Sequence, residues 1–350
     1  TDKAINLFQQ ALTIRKMHND ESPNSWAKEY SLSLRNLALA YQAQGRVSDF
    51  NELWEQRILI QKVNYAENPE RWIEEYSESL KTLANAYQAQ GRVSDSNELW
   101  EQELLIQKAR YTENPERWVE SYSKGLTELA TKFEQAGRLE DAISLWEKEI
   151  AVLKEFFSQS SFLMSKSYCN SLNNLVCKYL QVERLADAIV IGEQSLIVLA
   201  DFYVQNPASV AEIYSVSLNN LAYCYLQVGR TEDAVIMGKR ALCVLEVLYV
   251  QNPTRWTENY YSLSKNLASS YKKAGFLNEA IKLKEQALNI LKADYKVNID
   301  RSDHWVENYA TQMIDLSLSY KNAGYIEKAI HTEQQAIIIL EELYLKSSQH

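Results

Sequence analysis

All five prolines of this 350-residue chain fall in one column of a 46-residue repeat: Pro23, Pro69, Pro115, Pro207 and Pro253. A glycine column keeps the same period, with Gly45, Gly91, Gly137, Gly229 and Gly275; Glu183 fills one slot and Gly324 arrives three residues late. A strict period of this size predicts a solenoid, in which a unit cannot bury its apolar face alone and stacks on its neighbours. A chain of this length would otherwise suggest two or three globular domains. The repeat replaces that expectation with one array that grows by adding units.

The second unit shows what each unit is. Asn68 suits a helix cap, Pro69 the first helical position and Glu70 the positive end of the helix dipole. Trp72, Tyr76, Leu80, Leu83 and Tyr87 then step by 4, 4, 3 and 4, the spacing of one helix face rather than a strand. Gly91 stops that helix. A second helix starts near Ser94-Asp95 with Leu99, Leu104, Ile106 and Tyr111 on its inner face. A tyrosine sits in the first helix of every unit (Tyr30, Tyr76, Tyr122, Tyr168, Tyr214, Tyr260, Tyr309), and a leucine follows seven residues later, from Leu37 to Leu316. Each second helix ends in an aromatic: Tyr65, Tyr111, Phe157, Tyr203, Tyr249, Tyr295 and Tyr344. A residue type kept in every unit is a stacking requirement, because aromatic rings bury large area and still satisfy a hydroxyl at their edge.

The expected fold class is therefore all-α, an α-solenoid. The expected organisation is a single array over 1–350: a half repeat at 1–18, then hairpins at 22–65, 68–111, 114–157, 160–203, 206–249, 252–295 and 301–346. Residue 1 is Thr, so the chain reads as part of a longer protein. The fourth unit is irregular. It lacks the proline, the first-helix tryptophan and the glycine, having Ser161, Met164 and Glu183, and the second-helix tryptophans Trp54, Trp100 and Trp146 give way to Gly192 and Gly238. A joint or change of curvature is expected around 157–170. The three-residue insertion before Trp305 is expected in an inter-hairpin loop.

Composition narrows the function classes. The net charge of −9 argues against a nucleic-acid surface, and no run of 18 apolar residues suggests a membrane span. Cys169, Cys177, Cys224 and Cys243 form no Cys-x-x-Cys pair, and the four histidines are scattered, so neither metal nor cofactor is expected. The cysteines read as small side chains in a reducing, cytoplasmic setting. With no phosphate loop and no nucleophile–base arrangement, the chain is read as a non-enzyme.

The run Asn220-Leu221-Ala222-x-x-Tyr225-x-x-x-Gly229-Arg230-x-x-x-Ala234, with Ala241 beyond, resembles a tetratricopeptide repeat. So does Asn266-Leu267-Ala268-x-x-Tyr271-x-x-x-Gly275 with Ala280 and Ala287. The first two units depart from it, with Phe50 and Ser96, then Arg57 and Glu103, in the small-residue positions. The unit is longer than the usual repeat of about 34 residues. Ser-Leu-Asn-Asn-Leu at Ser171 and Ser217 resembles the kinesin light chain subtype, whose long units also occur in bacterial signalling proteins. The resemblance implies a right-handed superhelix with first helices on the concave face, binding a protein or peptide partner.

Carried over position by position, the resemblance implies a groove that includes Asn36, Lys81, Asn85, Asn173, Asn174, Cys177, Leu180, Asn219, Asn220, Tyr223, Leu226, Lys265, Asn266 and Lys272. Asn36, Asn174, Asn220 and Asn266 form a partial amide ladder, able to pair with a peptide backbone or with neighbouring helices. Cys177, Leu180, Tyr223 and Leu226 make an apolar middle, for a partner anchor or for inter-helix packing. Lys265, Lys272, Lys273 and Lys321 make the far end basic, for acidic side chains or simply as a solvated face. The family's carboxylate clamp is not reproduced: Lys81 and Asn85 fit, but Glu128 stands where the next Asn belongs. Two alternatives accompany this reading, end-to-end self-association through the terminal hairpins and a regulatory segment of a larger signalling ATPase or caspase-like protease.

Overall fold

The computed structural model describes residues 2–157, 162–297 and 303–347. Every helix or strand assigned among them is an α-helix, and there are fifteen. They are α1 (Asp2–Glu21), α2 (Pro23–Gln42), α3 (Val47–Glu67), α4 (Pro69–Ala89), α5 (Val93–Glu113), α6 (Pro115–Gln135), α7 (Leu139–Phe157) and α8 (Phe162–Gln181). There follow α9 (Leu185–Gln205), α10 (Pro207–Gln227), α11 (Thr231–Gln251), α12 (Pro253–Lys273), α13 (Leu277–Val297), α14 (Asp303–Asn322) and α15 (Ile326–Ser347). Even-numbered helices are the first helices of hairpins and odd-numbered ones the second.

The chain divides into two compact units, Thr1–Ser158 and Gln159–His350. Within the first, each helix from α1 to α7 packs on the next; within the second, the same holds from α8 to α15. Residues 158–161 of the joint expected at 157–170, and 298–302 of the loop before Trp305, fall outside the described residues, as do the side chains of Phe157, Tyr295, Tyr344 and Trp305.

Short-range chemistry sets the hairpins. The Asn68, Asn114 and Asn252 side chains accept from the N–H groups of Arg71, Arg117 and Arg255 at 3.2, 3.1 and 3.2 Å, and a proline follows each cap. At the other end of the first helix the chain turns through a left-handed residue. Gly91 has φ 75°, and the residue after it donates its N–H to the Tyr87 carbonyl at 2.9 Å, five residues back. Glu183 takes the same turn with φ 58°, a conformation that costs a side-chain-bearing residue about 1–2 kcal/mol.

The repeat columns meet each other in space. All seven first-helix tyrosines and all seven leucines following them are buried. The terminal aromatic of one hairpin lies against the tyrosine of the next: Tyr65 with Tyr76 at 5.4 Å, Tyr111 with Tyr122 at 5.0 Å, Tyr203 with Tyr214 at 4.7 Å and Tyr249 with Tyr260 at 5.0 Å between ring centroids. One aromatic column alone stacks on nothing; the two together join successive hairpins, each pair adding about 0.5–1.5 kcal/mol beyond its area.

A third recurring device went unread in the sequence. The residue after the turn glycine is arginine in Arg46, Arg92, Arg138 and Arg230, and Arg184 follows Glu183. Each of these five pairs with the aspartate three residues on, at 2.6–2.7 Å. Each also lies over the last aromatic of the first helix, 3.8 to 4.4 Å from its centroid. In the last two hairpins Phe276 and Tyr325 replace the arginine and meet Tyr271 and Tyr320 edge-on.

Candidate functional site

One position in the second helices governs how closely the first helices approach. It is Trp54, Trp100 and Trp146 in α3, α5 and α7, then Gly192 in α9 and Gly238 in α11. A Cβ on Gly192 would lie 3.2 Å from Leu221 of α10 and 3.8 Å from Val176 of α8. A large side chain at this position is therefore a wedge between neighbouring first helices. Where it is glycine, the backbones close up: α10 approaches both α8 and α12 directly.

The close approach brings short polar side chains together. Asn173 is buried, and its side-chain oxygen accepts from the hydroxyls of Ser217 at 2.8 Å and Ser195 at 3.3 Å. The Asn266 amide donates to Asn219 at 3.1 Å, and that of Asn220 to the Cys177 sulfur at 3.8 Å. Asn173, Asn219, Asn220 and Asn266 thus bond neighbouring elements of the stack. Asn174 is exposed, Cys177 is exposed, Leu180 is half-buried and Leu226 is buried. Tyr223, near the C-terminal end of α10, keeps 44% of its surface exposed.

Beside these amides lies a cleft of about 810 Å³ on the first-helix side, spanning α8, α10 and α12. Asn170, Asn173 and Asn174 line it, together with residues the sequence reading did not place in the groove: Lys166, Glu212 and Arg255. Arg255 reaches back to Glu212 at 3.3 Å, a pair 43 residues apart. Arg35 and Glu78 in the first unit have the same separation and meet at 3.5 Å, so an Arg/Glu pair at this offset was the available signal. A second cleft, of about 590 Å³, takes in Lys265 and Lys272, both exposed.

The selected residues of the first unit are placed differently. Asn36 is half-buried and Asn85 exposed. The Lys81 ammonium reaches the buried carboxylate of Glu103 at 2.9 Å, and Ser77 donates to the same oxygen at 2.9 Å. These three residues belong to the Thr1–Ser158 unit; the other selected residues belong to Gln159–His350.

Burial pushes the Cys169 and Cys224 thiols up to about 12 and raises Cys177 as well, which disfavours the thiolate at each. Among the described residues no group of three His, Cys, Asp or Glu side chains converges as a metal site, and no helix is long and apolar enough to cross a membrane.

No protein-family model and no curated protein matches the chain. Among solved structures, BtubC (BKLC) from P. vanneervenii is similar with a TM-score of 0.55 and 19% identity, over 72% of this chain and 92% of that one. A Podosopora anserina putative kinesin light chain with nearly identical TPR-like repeats gives 0.49 and 21%, over 63% of this chain and 94% of that one. Fifteen helices in hairpin order and the likeness to BtubC identify the fold as an all-α helical-repeat solenoid.

Proposed function

From a helical-repeat fold of this kind, we propose a binding scaffold that engages a protein or peptide on the first-helix side of α8, α10 and α12. The observation that carries this reading is the 810 Å³ cleft running across three successive first helices. A cleft lined by amides and charged groups suits an extended backbone, whose N–H and C=O groups need paired partners. Tyr223, half-exposed further along α10, is the anchor for a partner side chain. Acidic side chains of the partner meet Lys265 and Lys272 at the C-terminal end. The free cysteines Cys169, Cys177, Cys224 and Cys243 fit a reducing, cytoplasmic setting.

Binding of a verified partner is compared in the wild type and in Tyr223→Ala and Asn174→Ala. Affinity is expected to fall about tenfold or more for the tyrosine, with the far-ultraviolet circular dichroism unchanged. Unchanged affinity in both variants sinks the reading.

End-to-end self-association is the second reading, and the terminal helices favour it. Leu7 and Phe8 of α1 are 65% and 37% exposed, although their equivalents Leu53 and Trp54 are buried. Ile330 of α15 is 54% exposed, while the equivalent Ile281 is 5% exposed. Light scattering across concentration separates the readings. A monomer at high concentration removes the second.

A further inference from the structure

The repeat columns break together in one place, around α12, α13 and α14. The column of Leu34, Leu80, Leu126, Leu172 and Leu218, all buried, holds Ser264 in α12, and its buried hydroxyl has no hydrogen-bond partner. The small-residue column of Ser31, Ser77, Ser123, Cys169 and Ser215 holds Tyr261, whose hydroxyl is likewise buried without a partner. Tyr261 fits because Ala287 stands opposite, and both line a small cavity with Lys265, Lys284 and Asp315. The wedge position, glycine in α9 and α11, holds Lys284 in α13. Its side chain is 12% exposed, and its ammonium sits 2.6 Å from Asp315 and 2.9 Å from the Ser319 hydroxyl. Stacking needs none of these changes, since a leucine, a serine and a glycine serve it elsewhere. Local departures from a pattern of this regularity mark function.

Lys284 has a structural consequence. It stands between α12 and α14, which do not make the close approach of α8 with α10 or of α10 with α12. The cleft of about 590 Å³ lies there. Four ammonium groups line it (Lys265, Lys272, Lys273 and Lys284) against one carboxylate, Asp315, in a chain of net charge −9. Ser269 and Thr311 add hydroxyls.

We propose that this cleft binds a phosphate group, carried either by a phosphorylated side chain of the bound partner or by a free polyphosphate. An arginine fork matches a planar carboxylate, and no arginine lines the cleft; several lysines act as separate point charges around a compact polyvalent oxyanion. The phosphopeptide form rests on the scaffold reading above; the free-polyphosphate form does not.

Calorimetry with three probes tests it: inorganic tripolyphosphate, a capped phosphoserine peptide, and the same peptide with aspartate in place of phosphoserine. At least one phosphate probe is expected to bind about tenfold tighter than the aspartate peptide, and the exposed-site variant Lys265→Gln/Lys272→Gln to lose about tenfold. Tyr261→Phe is expected to raise the melting temperature of the ligand-free chain, because it removes an unpaired buried hydroxyl, and to leave the phosphate titrations unchanged, because that hydroxyl lies outside the cleft. Tripolyphosphate binding alone assigns a free ligand, and phosphopeptide binding alone assigns a partner-borne one. Equal binding of the aspartate peptide, or no binding of either phosphate probe, or binding unaltered in the lysine variant, overturns the proposal. Tyr223→Ala should leave these titrations unchanged, so the phosphate site and the Tyr223 surface fail independently.

Discussion

In α3 and α5 the wedge tryptophan is followed three residues later by Arg57 and Glu103, whereas in α9 and α11 the wedge glycine is followed by Ser195 and Ala241. Both pairs of hairpins keep the same turns and aromatic stacks. They differ in how first helices reach each other. In the Thr1–Ser158 unit long side chains bridge them, Lys28 to Glu75 at 2.9 Å and Gln88 to Gln135 at 2.9 Å. Among α8, α10 and α12 the backbones approach, so short amides reach across, as in Asn266 to Asn219, alongside the longer Arg255–Glu212 pair. The wide form also admits buried charge. Arg57 donates to Ser31 at 3.1 Å and lies over Trp54 at 4.7 Å; Glu103 accepts from Ser77 and Lys81. One residue in the wedge thus separates a polar-cored stack from a close-packed one.

The comparison breaks most sharply at a tryptophan. Trp100→Ala is expected to destabilise the first unit by about 3–5 kcal/mol, the cost of an uncollapsed cavity, measured by urea denaturation. Ser31→Ala comes next. It leaves the buried Arg57 and Gln61 with fewer partners and should cost about 1–3 kcal/mol, whereas Ser215→Ala, opposite Ala241, should cost less.

A pH titration sharpens the picture of the shared columns. Burial raises Tyr87 and Tyr225 to about 12, each further held by a glutamate, and raises Cys169 and Cys224 to about 12. Folded pKa values above the unfolded ones mean stability is complete below about pH 9 to 10 and lost as pH climbs toward 12. Arg57 acts in the opposite sense, its pKa lowered by burial to about 10, and regains stability over the same window. Net loss is expected, with a shallower slope in Tyr87→Phe, read from melting temperature against pH.

Smaller still is the turn. Glu183→Gly should stabilise by about 1 kcal/mol by relieving a left-handed side chain, and Gly91→Ala should cost a similar amount. A flat response at both would mean that the turn does not limit stability.

The fold was legible because stacking is periodic. Prolines, turn glycines, tyrosines and leucines recur on a fixed period, and each has a local physical reason. The arginine–aspartate turns were legible in principle, as a pair three residues apart beside each glycine, but they pass for ordinary solvated charge. The sites were harder. Asn173 adjoins Asn174 in sequence, and Leu226 lies one helical turn from Tyr223, yet Asn173 and Leu226 are buried and Asn174 and Tyr223 exposed. That difference depends on how near the neighbouring first helix comes, which the wedge residue sets from another helix 12 to 19 positions away. Ser264, Tyr261 and Lys284 were visible as breaks in their columns, but only contact across α12, α13 and α14 joins them.

Hydrogen exchange on the chain alone and in complex with a purified partner tests the recognition face most directly. Slowed exchange is expected in α8, α10 and α12, centred on the turns that carry Asn174 and Tyr223. Slowing confined to the outward faces of α9 and α11, where Ile197 and Val250 are exposed, would contradict it.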